Sequence, residues 1–134
     1  RTWRGVTRIA ELREGGVNVA VATNNVVNPF TPFGHADPLR QLLITAMLAH
    51  LGNLEDLAWL PELVTDNPAR ALQRPDYGLT PGCRADLVVL DAPDPVTAIV
   101  DQSEKTLVFN AGRVVAENRR ENLLTLTDEH KIYE

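Results

Sequence analysis

Apolar positions follow three rhythms along the chain, and each predicts a different element. Val6, Ile9, Ala10 and Leu12 recur at helical spacing among charged residues, which predicts a short helix over 7–14 with Thr7 as its cap. Gly15-Gly16 would end it, because glycine best takes the left-handed geometry of a helix terminus. Val17 to Ala22 then runs almost unbroken in apolar side chains, with Asn18 the one polar residue. Such a run predicts a strand covered on both faces, as in a parallel sheet. Helix, glycine pair and strand form an αβ step of that architecture.

The helical rhythm returns after a loop. Pro29 and Pro32 exclude regular helix between Val26 and Ala36, whereas Asp37-Pro38 is a capped helix start. Leu39, Leu42, Leu43, Ala46, Met47, His50 and Leu51 place one apolar face on the helix that follows, which Gly52 would end. Met47 and His50 are expected in the core. Asn53 caps a further stripe of Leu54, Leu57, Ala58 and Leu60, and Trp59 beside it is expected to pack. Pro61 interrupts the stripe, and Asn67-Pro68 begins another short helix to Gln73. Beyond a turn-rich link over 74–83 the rhythm shortens to that of strands. Leu87–Leu90 is a strand, with Asp86 and Asp91 capping turns at its ends, and 96–100 is a helical turn after Asp94-Pro95. Strands over 106–110 and 113–116 join around Ala111-Gly112 as a hairpin. Residues 117–134 are mostly polar, with Leu123, Leu124 and Leu126 able to pack a last element.

Composition narrows the class. The 134 residues suffice for one domain with a core, and 44% hydrophobic with 23% charged content is ordinary for a globular chain. A net charge of −5 disfavours nucleic-acid and membrane-surface binding, and no apolar run reaches transmembrane length. Cys83 is the single cysteine, so an internal disulfide and multi-cysteine metal sites are excluded, and a reducing cytoplasm is the natural setting. Ser103 is the single serine and sits in no nucleophile elbow. His35, His50 and His130 form no pair with metal-ligand spacing.

The candidate chemistry lies where the valine-rich run ends. Asn24 and Asn25 are adjacent carboxamides beyond a strand's carboxyl end, where α/β folds place their sites; the plain alternative is that they cap a turn. Phe30 and Phe33 follow, either as a wall over a flat ring or as pins for the loop, and His35 comes next.

Thr23-Asn24-Asn25-Val26-Val27-Asn28-Pro29-Phe30 with Pro32-Phe33-Gly34 resembles the last barrel strand and loop of the amidohydrolase superfamily, in the branch of cytosine deaminase and N-isopropylammelide isopropylaminohydrolase. Thr65-Asp66-Asn67-Pro68-Ala69-Arg70-Ala71-Leu72 resembles the helix closing that barrel. Gly82-Cys83-Arg84-Ala85-Asp86-Leu87-Val88-Val89-Leu90 resembles the return into a small β-sandwich, and Asn110-Ala111-Gly112-Arg113-Val114-Val115 its last hairpin.

The resemblance implies an α/β fold: the last strand–helix unit of a (β/α)8 metal-dependent hydrolase barrel over 1–76, part of a composite β-sandwich over 77–118 and a tail over 119–134. A whole barrel takes about 250 residues, so the chain would be the carboxyl-terminal part of a longer enzyme. That parent would use a divalent metal, zinc or iron, to make hydroxide from water and hydrolyse an amino group or cyclic amide of a nitrogen heterocycle. No metal is expected in the fragment alone. The family places a metal-binding aspartate where this chain has Asn24, which is neutral and cannot take a proton. Asn25, Phe30 and His35 would face the substrate. Two readings stay open: a heterocycle deaminase fragment, or a non-catalytic relic or interaction module that kept the scaffold. Either leaves unpaired edges, so self-association or a complementing chain is expected.

Overall fold

The computed structural model describes residues 5–29, 32 and 34–121. Helix α1 (Ile9–Glu14) has Arg8 at its N-cap position without a side-chain cap bond, one residue later than the cap expected at Thr7. It ends as expected. Gly16 takes φ +75°, its N–H donates to the Arg13 carbonyl, and the Val17 N–H reaches back to Leu12 at 2.9 Å. These paired bonds are a Schellman closure, which a Cβ at the left-handed position would strain.

Val17–Ala22 does not form the expected strand. No β-ladder reaches it among the described residues. A strand is defined by a partner backbone, and here the partner is a helical surface. The Val21 N–H donates to the Leu63 carbonyl at 2.8 Å, and side-chain amides hold the rest. The side-chain alternation survives: Val19 is buried and Val21 half-buried, while Asn18, Ala20 and Ala22 are exposed.

Asp37 accepts the Leu39 N–H at 3.1 Å and starts helix α2 (Pro38–Ala49). The helix stops at His50, in left-handed geometry at φ 54°, and not at Gly52. His50 is exposed and Met47 is 69% exposed, so neither is the core residue expected. The apolar stripe of α2 is wider than the surface that covers it. Leu39 and Leu42 are buried, whereas Ile44, Met47 and Leu48 face out.

Asn53 caps helix α3 (Leu54–Trp59) through the Asp56 N–H at 2.8 Å. Leu54 and Ala58 are exposed, and the buried member is Trp59, with the Arg13 guanidinium 4.6 Å above its ring. Arg13 also pairs with Asp56 at 3.2 Å and Glu55 at 3.1 Å, tying α1 to α3. Pro61 interrupts the α-helix as expected. A 3₁₀ helix spans Leu60–Val64, then α4 spans Asp66–Ala71.

Strands β1 (Leu87–Leu90), β2 (Lys105–Asn110) and β3 (Arg113–Glu117) form an antiparallel sheet in the order β1-β2-β3. Ala111 and Gly112, at φ 49° and 76°, make the two-residue turn of the β2–β3 hairpin. Positive φ at both positions matches the right-handed twist of the strands. Asp86 Oδ1 accepts the Ala111 N–H at 2.7 Å, the turn-capping role expected of it. Helix α5 (Pro95–Asp101), capped by Asp94, links β1 to β2.

The core is one cluster. Leu42, Leu60 and Leu63 from the helices meet Ala98 and Ile99 of α5. The Lys105 ammonium reaches Asp37 Oδ2 at 2.7 Å, and Gln102 Nε2 reaches the Leu39 carbonyl at 3.2 Å. Both bonds fasten the sheet-bearing segment to the start of α2.

Candidate functional site

The chain leaves its helical support at Val21 and bends at Asn24. Asn24 is exposed and Asn25 half-buried. The Thr23 hydroxyl donates to the Asn25 carbonyl at 3.0 Å, closing a local turn. Gly34 lies flat against this turn: a Cβ there would overlap the carbonyl oxygens of Asn25 and Val26. Only glycine permits that approach without displacing the backbone. The loop thus folds back so that His35, the next residue, follows directly from the Asn25–Val26 contact. His35 is exposed, and its carbonyl accepts from Gln41 Nε2 at 3.4 Å. Asp37, two residues on, fixes the loop to α2 and to Lys105. Phe30 and Phe33 lie outside the described residues.

The structure therefore brings Asn25 and the segment carrying His35 together through the backbone at Gly34, with Asn24 at the exposed bend. Asn24 and Asn25 offer neutral carboxamide groups. An Asn carboxamide presents one acceptor oxygen and two N–H donors, a pattern that matches the alternating edge of a nitrogen heterocycle.

Cavities among the described residues lie elsewhere. An apolar groove of about 400 Å³ runs between α2 and α5, floored by Leu60 and Ile99, with Met47 and His50 at its rim. A more polar one of about 500 Å³ lies along α4, lined by Asp66, Arg70, Arg74 and Tyr77. In the latter, burial, with Asp66 nearby, raises the Tyr77 hydroxyl; outside its lining, the Arg74 hydrogen bond holds Asp76 below the usual carboxylate range. Cys83 is half-buried beside the Thr80 hydroxyl at 3.3 Å.

Three polar residues join the site's support without having been singled out from the sequence. Asn18 Nδ2 donates to the Asn67 carbonyl at 2.8 Å, and Asn67 Nδ2 donates to the Val19 carbonyl at 2.8 Å. Arg70 donates to Asn18 Oδ1 at 2.9 Å and to Asn67 Oδ1 at 3.1 Å. Asn67 is 3% exposed, and every one of its side-chain groups is paired. A signal was present: a lone Asn inside an apolar run needs a partner, and Asn67 and Arg70 at i and i+3 share one helix face.

Among the described residues no group of three His, Cys, Asp or Glu side chains is close enough to hold a metal ion. The donors described near Asn24 are carboxamides and backbone carbonyls, with His35 a single imidazole on the adjoining segment, short of the three or four imidazole and carboxylate ligands that a zinc or iron site needs. These residues alone do not fit a catalytic metal. No helix of the described residues is long and apolar enough to cross a membrane.

The chain belongs to the amidohydrolase family, whose sequence model matches residues 1–116. Proteins of this family are generally metal-dependent.

Among characterised relatives, it is 32% identical over 111 residues to N-isopropylammelide isopropyl amidohydrolase of Pseudomonas sp. (strain ADP), covering 82% of this chain and 28% of that protein. It is 35% identical over 114 residues to pterin deaminase of Rhizobium rhizogenes, covering 84% of this chain and 26% of that one. The structure superposes on 5-methylcytosine deaminase of Klebsiella pneumoniae, liganded with 5-fluorocytosine, with a TM-score of 0.83 and 35% identity, over 90% of this chain and 29% of that one. The chain thus spans less than a third of the length of these relatives.

Proposed function

We propose that this chain is the carboxyl-terminal part of a hydrolytic deaminase acting on an exocyclic amino group, or cyclic amide, of a small nitrogen heterocycle. The observation that carries the reading is the agreement along most of the chain with two relatives named for such substrates and with a deaminase structure holding a pyrimidine. Residues 1–76 are the barrel's last unit in this reading, 77–118 part of its β-sandwich and 119–134 a tail. A divalent metal, zinc or iron, belongs to the whole polypeptide, on ligands other than those described.

The part this chain plays is to present a hydrogen-bonding edge. Asn24 stands where the family has an aspartate. It orients through Oδ1 and Nδ2 and moves no proton, so a proton-accepting group lies elsewhere in the polypeptide. Asn25 meets the ring edge, Phe30 covers the ring face and His35 borders the pocket. The chain on its own is inactive, and it pairs with a complementing segment or a second copy.

The test is metal analysis of the full-length polypeptide, with ammonia release measured from cytosine, pterin and amino-triazine substrates. Stoichiometric zinc or iron with turnover supports the reading. Asn25→Ala should then cost about tenfold to a hundredfold in kcat/KM, the loss expected for a substrate hydrogen bond. No metal and no turnover would overturn it in favour of a scaffold that has lost its chemistry, a rival that Asn24 itself motivates.

A further inference from the structure

We infer that Asn18, Asn67 and Arg70 form a positioning clamp that sets where Asn24 and Asn25 project; this rests on the reading of those carboxamides as the substrate edge. The segment from Val17 to Ala22 has no strand partner among the described residues, so its place is fixed by few bonds. Past the Val17 N–H bond to Leu12 that closes α1, they are the Asn18 amide to the Asn67 carbonyl, the Asn67 amide to the Val19 carbonyl, and the Val21 N–H to the Leu63 carbonyl, each 2.8 Å. Two of the three pass through the Asn18–Asn67 pair.

Arg70 completes the device. One guanidinium nitrogen donates to both Asn18 Oδ1 and Asn67 Oδ1, at 2.9 and 3.1 Å. It therefore locks each carboxamide in the orientation that leaves its NH₂ free to bind backbone. A flipped amide would face Arg70 with a donor and the backbone carbonyls with an acceptor, losing bonds on both sides. With Asn67 almost wholly buried, those losses cannot be made good by water. Beyond Val21 the next bond among the described residues is the local Thr23–Asn25 turn, so on its N-terminal side the bend at Asn24 takes its position from the clamp. In a site, a displacement near 1 Å costs about a hundredfold.

The experiment uses the full-length protein with two variants at exposed positions, Asn18→Ala and Arg70→Ala, and Arg13→Ala as a control. Arg13 holds α1 to α3 without touching the clamp. Expected are kcat losses of about tenfold for each clamp variant with KM nearly unchanged, and a double variant no worse than the worse single one. Arg13→Ala should lower the melting temperature and leave kcat/KM within about twofold. Hydrogen exchange of the peptide spanning 17–25 should accelerate in Arg70→Ala, with α2 unchanged. Clamp variants that match the control in kcat, or unaltered exchange over 17–25, would overturn the proposal. If the wild-type protein turns over no heterocycle, the functional reading falls, and exchange alone decides the clamp: faster supports it, unchanged sinks it.

Discussion

The helical part and the sheet are built on different terms. In the helices and in α5, Leu42, Leu60, Leu63, Ala98 and Ile99 are sealed from water to within 2%. No residue of β1, β2 or β3 is buried, and Val88, Val114 and Val115 are each more than half exposed. The first region is held by apolar area removed from water, the second by ladders, turn geometry and the bonds of Lys105 and Gln102 to α2. A sheet can therefore be drawn correctly by local turn chemistry before it has a second layer, but a stable domain needs two. Val114 and Val115, consecutive in β3, leave both faces of the sheet open.

The comparison can be broken most directly at Leu63. Leu63→Ala should cost about 2–5 kcal/mol in chemical denaturation, as for other fully buried leucines. A loss under about 1 kcal/mol would show that the helical cluster is not the core. Asp37→Ala comes next, at about 1 kcal/mol for the cap, and it should also loosen the sheet by freeing Lys105. Hydrogen exchange at β2 would report that coupling. Val115→Thr should change stability by less than about 0.5 kcal/mol. A penalty rivalling Leu63→Ala would mean that the sheet's outer face is covered in solution, by a second copy or by another segment, and would erase the contrast.

The smallest effect is one of pH. The Thr97 backbone N–H, and then its hydroxyl, hold the Asp94 carboxyl below the usual range. A depressed folded-state pKa gives stability that is present above the unfolded carboxylate value and lost as pH falls through the folded one. The melting-temperature advantage of the wild type over Asp94→Ala should therefore be full near neutrality and shrink with acidification. An advantage that grows on acidification would contradict the cap.

Most features settled by a few consecutive residues were legible in the sequence, although α1 starts from Arg8 and not Thr7, and α2 ends at His50 and not Gly52. Asp37 and Asn53 capped their helices, Gly15-Gly16 closed α1, Pro61 interrupted the helical stripe, Asp94-Pro95 preceded the helical turn of α5 and Ala111-Gly112 turned the hairpin. These bonds span two to five residues, so the partners are in the sequence window itself. Family membership was legible for the same reason: the motifs around Asn24, Asn67 and Gly82 are contiguous. What depended on distant packing was not legible. Val17–Ala22 has a strand's composition, but a ladder needs a neighbour that the described residues do not provide. Met47 and His50 continue an apolar rhythm past the point where anything covers it. Asn18, Asn67 and Arg70 look like an interruption and a helix start until a fold lays residues some fifty positions apart side by side. Sequence determines hydrogen bonds that close locally; burial and register are decided by whichever surface arrives opposite, and only the tertiary structure supplies it.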